Sequence, residues 1–208
     1  GLAEGRNTLQ ELYSHTGFSR AKISVYLKSL MELELVEKVF SFDTEGHANT
    51  KKGYYRIKSH LVDFYYRFVY PHASDAELLN GKAFYEKYIE KDFRAFVDVH
   101  FKEICREYME GENTAGKLPF ALTKIGEWIG KQGCVDIVGS TEGGNCLIGA
   151  CFFMPMVTYE LYEELLLAAK QAKIAYSYIY LFGIDRFDGK LLLEARVKKN
   201  IRLVNLGE

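Results

Sequence analysis

Asp136 is the residue of this chain best placed to do chemistry from a strand. It lies in Cys134–Phe153, CVDIVGSTEGGNCLIGACFF, where two apolar runs, Val135–Gly139 and Cys146–Phe153, flank a Gly-rich polar connection. That pattern predicts a β-hairpin. A carboxylate on such a strand is the ligand type a hard divalent cation takes, but one alone does not complete a site. Residues two apart on the second strand share a face, so Ile148, Ala150 and Phe152 project together and bring no side-chain oxygen.

Other chemistries find little in the sequence. The four cysteines, Cys105, Cys134, Cys146 and Cys151, have no C-x-x-C spacing and no paired histidine, and read as reduced core residues. Cys134 and Cys146 are placed to face each other across the hairpin. His15, His47, His60, His72 and His100 are scattered without ligand spacing. Gly126–Gly133, GEWIGKQG, is Gly-rich but lacks the hydroxyl after its lysine that a phosphate-binding loop needs. No G-x-S-x-G elbow stands out. The net charge of −1 with 26% charged residues gives no strong field toward nucleic acid or membrane, and 48% hydrophobic residues suffice for buried cores. No apolar run approaches the length of a membrane span and no signal segment opens the chain, so a cytoplasmic protein without membrane contact is expected.

The elements that must position Asp136 follow from periodicity. Thr8 can cap a helix over Leu9–His15, Thr16-Gly17-Phe18 makes a turn, and Ser19 caps a second helix to Leu33 with Ile23, Leu27 and Leu30 inward. Leu35–Phe42 alternates like a strand, and a polar loop, Asp43–Lys52, leads to a return strand at Tyr54–Ile57. This is the rhythm of a winged helix-turn-helix. Arg20, Lys22, Lys28, Lys51 and Lys52 are its candidates for phosphate or base contact, while Glu32, Glu34, Glu37 and Glu45 offset much of their charge. The aromatic stretch Phe64, Tyr65, Tyr66, Phe68 and Tyr70 reads as packing rather than a stacking platform, too crowded on one helix to share an exposed face. His72–Lys82 reads as a polar linker. Then come a helix near Lys91–Met109 with Phe93, Phe96, Val97, His100, Phe101 and Ile104 on its stripe, strands near Lys124–Ile129, Cys134–Gly139 and Cys146–Phe153, and an acidic helix Val157–Ala172. The apolar run Ile174–Phe182 reads as a buried strand, followed by a helix at Gly189–Val197 and an edge strand at Ile201–Leu206.

Several segments together resemble a known family. They are Tyr54-Tyr55-Arg56-Ile57 leading into Phe64-Tyr65-Tyr66-Arg67-Phe68-Val69-Tyr70-Pro71; Phe101-Lys102-Glu103-Ile104-Cys105-Arg106-Glu107-Tyr108; Ile125-Gly126-Glu127-Trp128; and Val135-Asp136-Ile137-Val138. From about Leu9 to Leu206 the chain resembles the C-terminal part of a prokaryotic family of AAA-type ATPases. There a P-loop ATPase domain is followed by a winged helix and a PD-(D/E)XK nuclease-like domain of unknown function. The resemblance implies an α+β chain, a winged helix-turn-helix followed by a restriction-endonuclease-like α/β domain. The expected divisions are 1–70, a linker or helical connection at 71–90, and 91–208.

The resemblance also implies a nuclease site: the Asp of the first hairpin strand, an acid and a lysine two apart on the second, and an acid from the first core helix. Here Asp136 stands, but Ala150 and Phe152 occupy the places of the acid and the lysine. Glu103 matches a family helix position, and its neighbour Lys102 stands where relatives often have Glu. Glu160, Glu163 and Glu164 are spaced like a solvated helix face. The expectation is a degenerate site with no metal, and a chain that is not itself an enzyme. Its cofactors, ATP and Mg²⁺, would belong to a preceding ATPase domain of the same polypeptide, since Gly1-Leu2-Ala3-Glu4-Gly5 reads like the interior of a helix. Expected partners are double-stranded DNA, that ATPase domain, and further copies of the chain. A nuclease with relocated acids and a protein-interaction or dimerisation module without DNA binding are the alternatives.

Overall fold

The computed structural model of the chain describes residues 1–44, 53–130 and 133–207. The chain divides into two units, one of Gly1–Phe40 with Thr44–Phe96 and the other of Ser41–Asp43 with Val97–Glu208.

In the first unit a short 3-10 turn, Leu2–Glu4, precedes α1 (Leu9–Thr16) and α2 (Arg20–Glu32). α1 starts where it does because Thr8 and Glu11 satisfy each other's backbone: the Thr8 hydroxyl accepts the Glu11 N–H at 3.2 Å and the Glu11 carboxylate accepts the Thr8 N–H at 2.9 Å. It stops at Gly17, whose φ of 67° suits a residue without Cβ. Ser19 accepts the Lys22 N–H and opens α2. Leu12, Ile23, Leu27, Val36 and Tyr55 form the small core. β1 (Val36–Val39) pairs antiparallel with β2 (Tyr54–Ile57), Val36 opposite Ile57, giving a helix-turn-helix followed by a hairpin. Lys51 and Lys52, with the rest of the expected wing tip, lie outside the described residues.

Two expectations for this unit change. The aromatic stretch divides in two as α3 (His60–Phe64) widens into a π turn, Tyr65–Val69. Phe64 and Phe68 pack with Phe96, while Tyr65, Tyr66 and Tyr70 sit together at the surface, centroids 5.2–6.3 Å apart. They share one exposed face because a π turn brings residue i+5 over residue i, which an α-helix does not; the Tyr70 N–H donates to the Tyr65 carbonyl. Nor is His72–Lys82 a linker, for it holds α4 (Ala73–Leu78) and the start of α5 (Gly81–Tyr88). Its polar residues work locally: Asp75 accepts from Lys87 Nζ at 2.7 Å and from the Tyr88 hydroxyl, and Asn80 caps α5.

The second unit is a sheet between helices. Its elements are α6 (Glu90–Thr114, from Val97 onward), β3 (Lys124–Ile129), β4 (Cys134–Ser140), β5 (Cys146–Cys151), β6 (Met156–Val157), α7 (Tyr159–Ala172), β7 (Tyr178–Gly183), β8 (Arg186–Phe187), α8 (Gly189–Val197) and β9 (Ile201–Asn205). The five-stranded sheet runs β3-β4-β5-β7-β9, antiparallel through β5 and parallel from β5 to β9. Phe101, Cys105 and Met109 of α6 cover one face, against Ile137, Leu147, Cys151, Tyr180 and Phe182. Tyr162, Leu165 and Ala169 of α7, with Leu191 of α8, cover the other, against Val135, Val138, Ile148, Ala150, Ile179 and Leu181. Cover on both faces is why β5 and β7 are apolar throughout. The chain is thus a mixed α+β protein with a helix-turn-helix at its N-terminal side.

The second half of the expected Leu35–Phe42 strand leaves the hairpin and borders β3 instead. There the Phe42 N–H reaches the Glu127 carbonyl at 2.7 Å, and Ser41 Oγ accepts the Ile129 N–H at 3.0 Å. The expected strand Ile174–Phe182 is shorter, because Lys173 (φ 55°) ends α7 and Ile174 N–H still bonds Ala169. α6 is longer than Lys91–Met109, running through Gly111 to Thr114; Asn113 then clamps both the N–H and the carbonyl of Leu122, at 2.8 and 3.0 Å. Its inward stripe is Phe101, Cys105 and Met109, with Ile104 exposed, a phase that favouring Ile over Cys gets wrong. One carboxylate serves two helix starts: Asp188 accepts the Leu191 N–H of α8 at 2.7 Å and the Tyr159 N–H of α7 at 2.6 Å.

Candidate functional site

β4 carries one residue more than its partner at the point where Asp136 sits. Gly126 opposes Val138 and Trp128 opposes Val135, so Asp136 and Ile137 together face Glu127 alone. Such a bulge breaks the in–out alternation, and Val135 and Val138 both pack toward α7 while Ile137 packs toward α6. A cavity of about 390 Å³ opens beside it at the C-terminal end of β5. Asp98 and Lys102 of α6, Asp136, Ala150, Phe152 and Glu164 are on its wall, with Leu161 and Leu165 of α7 behind them.

Asp136 is fully engaged there. Its Oδ1 accepts from Lys102 Nζ at 2.6 Å and its Oδ2 from the Cys151 N–H at 3.0 Å; the Cys134 thiol also approaches Oδ1, at 3.7 Å. The side chain of Asp136 is 10% exposed and that of Lys102 34%. Burial works against the Lys102 ammonium, but the Asp136 carboxylate beside it, by charge and by hydrogen bond, overrides that and holds it above the ordinary lysine range. Asp98, one helical turn before Lys102, accepts the Phe153 N–H at 2.9 Å. Two side-chain carboxylates thus take alternate N–H groups of the chain leaving β5, while the Phe152 N–H between them goes to the Phe182 carbonyl at 3.1 Å.

Asp136, Ala150 and Phe152 all line this cavity. Glu103 does not line it; the helix residue aimed at Asp136 is Lys102. Adjacent helix residues point about 100° apart, so only one of the two can face the strand. Of the acids on α7, Glu164 reaches the cavity mouth and Glu160 and Glu163 do not. Lys102 as the partner of Asp136, the acid Asp98 and the bulge were missed. The signal for the first two was the spacing Asp98, Lys102, Cys105, Met109, one helical stripe that continues an apolar face into charged residues.

The divalent cation that a nuclease site would hold does not suit these donors. Both Asp136 oxygens are taken, one by a cation already present, and Ala150 and Phe152 supply none. Among the described residues, no three carboxylate, thiol or imidazole ligand atoms of this cavity lie within 4.8 Å of one another. The cysteines are free, and the register pairs Cys146 with Ser140 and Cys134 with Ile129, so Cys134 and Cys146 sit at opposite ends of the hairpin rather than face to face. Cys151 is buried, which pushes its thiol well up, and a hydrogen bond with Cys105 adds to this.

In the first unit the basic candidates are exposed but engaged. Arg20 donates to the Gln10 side chain and lies 5.6 Å from the Tyr13 ring; Lys22 sits 3.9 Å from the Phe18 ring and 5.7 Å from that of Tyr26; Lys28 pairs with Glu32 at 3.8 Å. Lys22 is about 200° around the helix from Arg20, so the three do not form one row. One exposed row of α2 is Ala21, Ser24, Val25 and Lys28, with Val25 62% exposed. Ser24 and Val25 carry no charge and are not among the residues that the sequence singled out.

Residues 65–158 match the family model described as archaeal and bacterial proteins of unknown function, and residues 2–38 match that of the bacterial regulatory proteins of the arsR family. The second match covers α1, α2 and most of β1, the helix-turn-helix part of the first unit. An uncharacterized protein of Methanocaldococcus jannaschii is 31% identical over 141 residues, which is 68% of this chain and 31% of that protein. The match thus spans about a third of that relative's length. No solved structure matches the chain.

Proposed function

We propose that this chain is the recognition part of an AAA-type ATPase, a DNA-binding winged helix joined to a restriction-endonuclease-like domain that does not cut. The observation that carries the non-cutting part is Lys102 Nζ seated 2.6 Å from Asp136, beside Ala150 and Phe152. A hydrolytic site of this type needs a cation to polarise phosphate and lower the pKa of water, and a carboxylate already neutralised by an ammonium offers little purchase for one. The strand order, antiparallel then parallel with α6 before the hairpin and α7 after it, supports the nuclease-like reading. The greater length of the archaeal relative supports a longer parent protein, where ATP and Mg²⁺ would be used.

DNA recognition draws on the arsR-type match and on this exposed row of α2. Ser24 can donate to a base edge, Val25 can meet a thymine methyl, and Lys28 can reach a phosphate. Affinity for a labelled duplex is expected to fall roughly 40-fold between 50 and 200 mM salt if about three phosphates are contacted. Lys28→Glu weakens binding at all sequences and lowers the salt slope, whereas Val25→Glu abolishes sequence preference. Absence of binding even at low salt would leave the interaction-module reading in its place.

Asp98 and Glu164 on the cavity wall favour one other reading, a nuclease with displaced acids. Plasmid incubated with the chain and MgCl₂ or MnCl₂ is expected to stay intact. Cutting that disappears in Asp136→Ala would establish the nuclease and end the recognition-only proposal.

A further inference from the structure

We infer that the Lys102 ammonium occupies the cation position of this cavity, as a tethered monovalent substitute that closes the site to divalent metal. The inference deepens the non-cutting reading above and rests on it for what such a cavity would otherwise hold.

The geometry carries it. Lys102 Nζ approaches a single oxygen, Asp136 Oδ1, from α6, at a distance typical of a short charge-assisted bond. The other oxygen is held by the Cys151 N–H, so the carboxylate cannot swing to present both oxygens to an incoming ion without abandoning the end of β5. Asp98, on the same helix and one turn earlier, is likewise tied to that segment through the Phe153 N–H. The ammonium therefore sits on a wall whose two inner acids are fixed by the backbone beside it.

Competition favours the tethered group. A free Mg²⁺ must shed tightly held water and find near-octahedral oxygen geometry, whereas Lys102 is confined beside its partner at a high effective concentration. Charge supplied from α6 also accounts for the side chains at 150 and 152: with one positive charge already on Asp136, an acid at Ala150 and an amine at Phe152 have no cation to share.

Removing the ammonium should open the seat. The experiment compares the full chain, Lys102→Ala, Lys102→Ser and the double variant Lys102→Ala/Asp136→Asn, each with millimolar MnCl₂ and then excess EDTA. The unfolding midpoint is read by circular dichroism and free Mn²⁺ by its paramagnetic resonance signal. The wild type is expected to ignore Mn²⁺ in both measurements. Lys102→Ala is expected to gain about 3–5 °C when Mn²⁺ is at ten times its dissociation constant, reversibly with EDTA, and to deplete free Mn²⁺. The double variant is expected to do neither. Lys102→Ser gives the same comparison if the Ala variant does not fold. Mn²⁺ binding by the wild type as strong as by the variants would overturn the inference, as would folded Lys102 variants that ignore the ion. These outcomes are separable from failure of the non-cutting reading, which shows as DNA cleavage by the wild type.

Discussion

Asp136→Ala is expected to lower the unfolding free energy by about 3 kcal/mol, the largest single effect on the second unit, through two losses. It strands the Lys102 ammonium and it leaves the Cys151 N–H without its acceptor. Breaking a fully buried ion pair costs roughly 3–5 kcal/mol. Lys102 keeps 34% of its side chain in solvent, so water recovers part of that and about 1–2 kcal/mol is the better figure for the pair. An orphaned backbone donor adds roughly 1–3 kcal/mol. Urea unfolding at constant m-value measures the sum. Lys102→Met should cost less, because Asp136 keeps its backbone donor, and adding Lys102→Met to Asp136→Ala should restore part of the loss. A cost for Asp136→Ala below about 0.5 kcal/mol would mean the ion pair is only a surface contact. The pH dependence has a definite sign. Lys102 has its pKa raised in the folded state, so its stabilisation is fully present below the unfolded value of 10.5 and is lost as pH rises through the higher folded value. The gap between wild type and Lys102→Met should therefore stay level through neutral pH and narrow as pH rises past 10.5.

Asp188→Ala is expected to cost about 2–3 kcal/mol, more than an ordinary helix cap. A single N-cap is worth roughly 0.5–2 kcal/mol, and this carboxylate fills that role for α8 through Leu191 while accepting the first N–H of α7 at Tyr159. Thr158, the residue before α7, makes no capping bond to that helix itself, so nothing local replaces the lost acceptor. The negative charge also lies at two helix N-termini, where it is favoured. Asp188→Asn keeps an acceptor but loses the charge and should fall between. A signature beyond magnitude is that α7 and α8 should lose hydrogen-exchange protection together. Loss confined to α8 would show that the Tyr159 bond contributes little.

What the sequence exposes and what it hides divide along physical lines. The helix Gly189–Val197 and the strands Lys124–Ile129 and Tyr54–Ile57 are legible nearly to the residue, because caps, alternation and apolar runs are local signals. That Asp136, Ala150 and Phe152 line one cavity is expected from the hairpin and the family resemblance together, because the bulge interrupts the alternation of β4 at Asp136 itself. Lys102 is not legible, because its role depends on the azimuth of α6 against the sheet, and a helix read through Ile104 instead of Cys105 is turned by one position. The π turn at Tyr65–Val69 is hidden for a similar reason: nothing in the YYRFV composition distinguishes five residues per hydrogen-bonded ring from four. The polar residues of His72–Lys82 mislead because caps and cross-links use the same side chains as solvated loops.

The extra residue in β4 makes the aim of a carboxylate depend on a count. If the codon for Asp136 were deleted, β3 and β4 could zip without interruption and the acid would be gone. If the codon for Ile137 were deleted instead, Asp136 would be swung squarely opposite Glu127, two like charges abreast on neighbouring strands. Insertions and deletions, rather than point changes, are thus the events this corner of the sheet would discriminate most sharply.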